Sequence, residues 1–154
     1  DSYMEESSQI INRLALGSLE LGRDAVAADW CAEGQQRFPA NPAHWGCSLD
    51  VMAWGAGRAD PASAWAAHRE AGRLTAPRNF SALASYDFAM AAVLARSPGI
   101  PADSARAVLA RARGTLSSSG EDSVRLRNAL LPREAAALYR LGDSTTADSL
   151  VDRI

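Results

Sequence analysis

Apolar residues return every three or four positions along most of this chain, and glycine and proline interrupt the series at intervals. From Met4 to Leu21 the residues Ile10, Ile11, Leu14, Leu19 and Leu21 have helical spacing, with Glu5 and Glu6 in the first turn, where the helix dipole favours carboxylates. Gly22 follows as a helix-terminating glycine, and Val26, Ala27, Trp30, Cys31 and Phe38 carry the pattern on from Asp24 to Phe38. Two helices joined by so short a turn predict a hairpin. Ala27, Cys31 and Gly34 share one face of the second helix and leave a shallow surface on which a neighbouring helix can sit closely.

Pro39 and Pro42 end that helix, since neither has the amide a helix interior needs, and Asn41 is placed to cap a third helix starting at Pro42. Trp45, Leu49, Met52 and Ala53 mark its buried face before "GAGRADP" breaks it. A fourth helix carries Ala64, Trp65, His68 and Ala71. After "TAPRNF" a fifth carries Leu83, Tyr86, Met90, Val93 and Leu94, and "SPGIP" ends it. The sixth spans about Ala102 to Leu116. The run Ser117 to Gly120 is short enough for a helix-to-helix turn within one compact unit. The segment "EDSVRLRNALLPREAAALYRLG" contains Pro132, which is expected to kink or split a seventh helix near Leu131. "LGDSTTADSLV" then repeats the grammar of "LGRDAVAADWC", with Gly142 and Ala147 spaced as Gly22 and Ala27 are, and predicts an eighth helix.

Composition narrows the picture further. A chain of 154 residues suits one domain, and an apolar fraction of 47% dominated by alanine, with only 6% aromatics, favours packed helices over sheets. All 16 basic residues are arginine and the net charge is −2, which argues against a general polyanion binder. The arginines from Arg106 to Arg140 alternate with Asp103, Glu121, Asp122 and Glu134, as on a solvated, ion-paired face. Neither net positive charge nor aromatic interleaving points to nucleic acid. No apolar run is long enough to span a membrane, so no membrane insertion is expected of this segment. The start at Asp1 suits a processed protein or a piece of a longer one, and leaves the compartment open between cytoplasm and periplasm. Cys31 and Cys47 lack metal-ligand spacing and read as two packed thiols; one disulfide would require facing helices and an oxidising compartment.

Ile11 and Trp45, about 34 residues apart, take equivalent places in successive hairpins, and 34 is the period of a tetratricopeptide repeat. Ile11, Leu14, Ala15, Gly22, Ala27, Cys31, Gly34 and Pro39 fall at that family's spacing, although Ser18 stands where a large aromatic is usual. Trp45 stands at the signature tryptophan, followed by Leu49 and Met52, then Ala64, His68 and Ala71 after an inserted turn. Weaker third and fourth units run from Leu83 to Ala112 and from Leu131 to Val151. The chain therefore resembles a degenerate tetratricopeptide repeat protein. The resemblance implies an all-α, right-handed superhelix of about four antiparallel hairpins, at about 4–38, 42–74, 79–117 and 121–154. The tail also resembles the helical-repeat C-terminal regions of some bacterial sensor or kinase proteins.

The same resemblance implies a protein-interaction scaffold whose first helices line a concave groove for an extended peptide or a partner helix. By position the groove would be lined by Asn12, Arg13, Leu16 and Glu20, by Asp50 and Trp54, and by Ser85 and Phe88. Arg13 with Asn12 could hold a carboxylate, but the matching positions on the third helix are Gly46 and Asp50, so the cationic clamp of the chaperone-binding members is not reproduced. Two other readings compete. One is a small-molecule or glycan site in a deep pocket around Trp54 and Phe88; the other is a homodimer formed by extending the stack through exposed Leu150 and Ile154. No phosphate loop, nucleophile elbow or metal-binding histidine pair is present, so the expectation is a non-enzyme without cofactor or metal. His44 and His68 read as ordinary packed or surface histidines, and Asp87 as a hydrogen-bonded structural aspartate.

Overall fold

A computed structural model describes residues 2–120 and 123–153. The described chain is all-α, with helices α1 (Ser2–Glu20), α2 (Asp24–Arg37), α3 (Pro42–Trp54), α4 (Pro61–Leu74), α5 (Phe80–Arg96), α6 (Ala102–Ser117), α7 (Ser123–Arg140) and α8 (Ser144–Val151). The acidic pair Glu121 and Asp122, the start of the fourth predicted hairpin, and Ile154 lie outside the described residues.

The local signals act as the residue types require. Gly22 and Gly142 both have positive φ, 68° and 78°, a backbone region that glycine occupies without steric cost. At the first, the amides of Gly22 and Arg23 donate to the carbonyls of Leu19 and Ser18; at the second, those of Gly142 and Asp143 donate to Tyr139 and Leu138. Each is the paired helix-end motif that satisfies two otherwise orphaned carbonyls. Asn41, Asp60, Asn79 and Asp143 cap the N-termini of α3, α4, α5 and α8 through side-chain oxygens. Pro132 does not split the seventh helix: α7 runs through it from Ser123 to Arg140. Pro132 and Asn128, whose carbonyl loses its partner to the missing amide, are both exposed, so water can satisfy that carbonyl.

Consecutive helices pack in pairs: α1 on α2, α3 on α4, α5 on α6, α7 on α8. The odd-numbered helices also pack on one another in sequence, and each even-numbered helix touches the odd-numbered helix that follows it. Central to this arrangement is α5, which touches α3, α4, α6 and α7 and is buried without interruption from Asp87 to Leu94. Phe88, Met90 and Val93 anchor a large core that extends from Leu49 to Ala147. The α1–α2 pair is attached differently. Its joint with α3 is a separate small cluster of Ala15, Cys31 and Cys47, flanked by Trp30 and Val51. Cys31 and Cys47 are not packed thiols here: they form a disulfide with Cα atoms 5.7 Å apart. The small face of α2, with Ala27, Cys31 and Gly34 all buried, lets α3 approach closely enough for that bond.

Candidate functional site

The odd-numbered helices meet in a cleft of about 390 Å³. Asn12 and Leu16 come from α1, Gly46 and Asp50 from α3, Ser81, Ser85 and Tyr86 from α5, and Leu130 and Arg133 from α7, with Asn79 at the α5 N-cap. The helical period produces this grouping, because Asn12 and Leu16 are four apart on α1, as Gly46 and Asp50 are on α3 and Ser81 and Ser85 on α5.

Arg133 and Asp50 form its charged floor. The guanidinium donates to Oδ1 at 2.5 Å and to Oδ2 at 2.9 Å, a two-pronged pair that ties α7 to α3. Hydrogen bonding to Asp50 raises the Arg133 pKa above its ordinary value, against an opposing effect of burial. The Trp54 indole also donates to Asp50 Oδ1 at 3.2 Å, and Arg133 lies over its ring at 5.9 Å. Burial pushes the Tyr86 phenol upward, so it stays a neutral hydroxyl. Among the described residues, Asn12, Ser81 and Ser85 spend no side-chain hydrogen bond on another part of the protein.

Of the eight residues expected to line the groove, Asn12, Leu16, Asp50 and Ser85 meet in this cleft. Trp54 lies beside it, in a shallow hollow of about 210 Å³ shared with Pro132, Arg133 and Ala136. Arg13 and Glu20 are exposed on α1 but turn away from the cleft. Phe88 is fully buried in the main core and cannot touch a ligand, which also removes it from any pocket shared with Trp54. Sequence reasoning missed Arg133, Tyr86, Asn79 and Ser81. Arg133 had been one of a run of surface arginines, and only the three-dimensional proximity of α7 and α3 separates it from them. Leu150 packs against the main core, so it does not offer the apolar end face expected of α8.

Two further polar clusters are structural latches. Asp87 accepts from Arg111 Nε at 2.9 Å and Nη2 at 2.6 Å, and its Oδ1 lies 2.7 Å from His68 Nε2, which joins α4, α5 and α6. Desolvation pushes the Asp87 carboxyl upward, but hydrogen bonds and charge from His68 and Arg111 outweigh it and hold the pKa below the ordinary value. His44 is completely buried, stacks on Phe38 and pairs with Ser8 through Nε2 at 2.8 Å, and Ser8 in turn accepts from Asn41. No group of three or more histidine, cysteine, aspartate or glutamate side chains is arranged to hold a metal among the described residues. Among the described residues no helix is long and apolar enough to cross a membrane. Compared with family models, curated proteins and solved structures, the chain matches none.

Proposed function

We propose that the chain is a non-catalytic protein-interaction module, a tetratricopeptide-like right-handed stack of four hairpins that holds an extended peptide or a partner helix in the cleft between α1, α3, α5 and α7. The observation that carries this reading is the unspent hydrogen-bonding capacity of Asn12, Ser81 and Ser85 along a cleft whose charged groups among the described residues, Asp50 and Arg133, neutralise each other. Amides and hydroxyls that both donate and accept match the main-chain groups of an extended segment. A neutral floor favours a partner read through its backbone and apolar side chains, with binding that changes little with salt.

The test is amide NMR of the domain titrated with a random library of extended heptapeptides. Shifts that map to Asn12, Ser81 and Ser85, and vanish when Ser85→Trp fills the cleft without altering the helical spectrum, are the expected result. Shifts that survive in that variant, or no shift at millimolar peptide, would remove the cleft as the binding surface.

A further inference from the structure

The outer face of α1 is apolar and uncovered. Tyr3, Ile10, Leu14 and Leu21 are 76%, 56%, 42% and 71% exposed, and with Ser7 and Gly17 they form an unbroken alternation of three- and four-residue steps. This is the seam pattern of one helix packing lengthwise on another. Single exposed apolar side chains are ordinary on a protein surface, but a stripe in register along a whole helix is not.

The stripe occupies a position that the fold uses as an interface elsewhere. One repeat period on, Ile10, Leu14, Gly17 and Leu21 correspond to His44, Ser48 and Val51 of α3 and to Gly55 at its C-cap. Those are the places where α1 and α2 dock on α3: Ser8 bonds His44, Gln35 bonds Ser48, Val51 packs on the disulfide cluster, and Asp24 reaches the Ala56 amide beside Gly55. On α1 no described element covers the matching face.

We propose that a second copy of this chain covers it, with the two α1 helices packed antiparallel about a two-fold axis. Charge selects both the direction and the register. Arg13 and Glu20 flank the stripe, both exposed and neither paired with another described residue. In the antiparallel register that sets Ile10 against the partner's Leu21 and Leu14 against the partner's Gly17, large side chains meet small ones at the centre. Arg13 then faces the partner's Glu20 twice, once on each side of the axis. Sliding one helix by a whole heptad, so that Ile10 meets the partner's Leu14, brings Arg13 against the partner's Arg13, which is repulsive. A head-to-tail stack is disfavoured because the exposed residues of α8 are mostly polar, Ser144, Thr145, Thr146, Asp148 and Ser149 against the single apolar Val151, and form no stripe to match that of α1.

Sedimentation equilibrium of the chain over the micromolar range tests this directly. The wild type is expected to dimerise, and Leu14→Glu to raise the dissociation constant by about ten- to a hundred-fold, with helical circular dichroism unchanged, because a carboxylate would enter the seam. Arg13→Glu should weaken the dimer, and Arg13→Glu combined with Glu20→Arg should restore it, since the swap recreates both pairs. A monomer at every concentration, a dimer indifferent to Leu14→Glu, or a double variant no tighter than Arg13→Glu alone would each overturn the proposal.

Discussion

Burial decides the chemistry of His44. Its ring is completely enclosed, its Nδ1 has no hydrogen-bond partner among the described residues, and desolvation lowers its pKa from the ordinary 6.5. The native imidazole therefore stays neutral over a range in which the unfolded chain takes up a proton. Since the unfolded state binds more protons there, stability is complete above pH 6.5 and falls as the pH drops below it toward the lowered native value. Urea denaturation between neutral and mildly acidic pH should show this loss, with a slope of at most about 1.4 kcal/mol per pH unit, and His44→Leu should abolish the difference. Asp50 presents the opposite situation, a charge kept in the fold by its partner. Its side chain is only 13% exposed, so Arg133→Ala leaves a carboxylate without its counter-ion and should cost about 1–3 kcal/mol in the same assay. Arg133→Lys should recover only part of that loss, because an ammonium cannot match both oxygens at once.

At the scale of the element, the helices and their ends were legible because each rests on local rules. The glycine turns at Gly22 and Gly142, the Asn41 cap and the small face of α2 all follow from residue type and spacing. What was not legible depends on which face a neighbour covers. Phe88 lies three residues from Ser85, and pattern alone could not tell that α5 is enclosed on every side at Phe88 while Ser81 and Ser85 face the cleft. The helix is not split at Pro132 for a related reason, since a proline breaks a helix most severely where the freed carbonyl is buried, and Asn128 is exposed. Two glycines turn the same distinction into a prediction. A Cβ at Gly34 would overlap the buried His44 ring, so Gly34→Ala should destabilise by about 1–3 kcal/mol. Gly114, mid-turn in α6, has open space around it, so Gly114→Ala should stabilise by about 0.5–1 kcal/mol. Thermal melts of the two variants, shifting in opposite directions, would check both.

Across the whole molecule the apolar interior has two parts, and this division sets how the protein should come apart. The main core joins α3 to α8, whereas the α1–α2 pair is held by a small cluster with the Cys31–Cys47 bond at its centre, together with the Ser8–His44, Gln35–Ser48 and Asp24–Ala56 contacts. The bond closes a loop with a sequence separation of 16, for which chain entropy alone gives about 3 kcal/mol. Most of that stabilisation acts on the joint between α2 and α3, because both cysteines lie there and the main core contains neither. Reduction by a dithiol should therefore speed amide hydrogen exchange through α1 and α2 while leaving the centre of α5 nearly as protected as before. Because Asn12 and Leu16 form the α1 wall of the cleft, the same reduction should also blunt any peptide shifts on that wall before those at Ser81 and Ser85. Uniform loss of protection across α1 to α8 would show instead that the fold unfolds as one cooperative unit. In that case the two apolar clusters would be a feature of packing without a counterpart in stability.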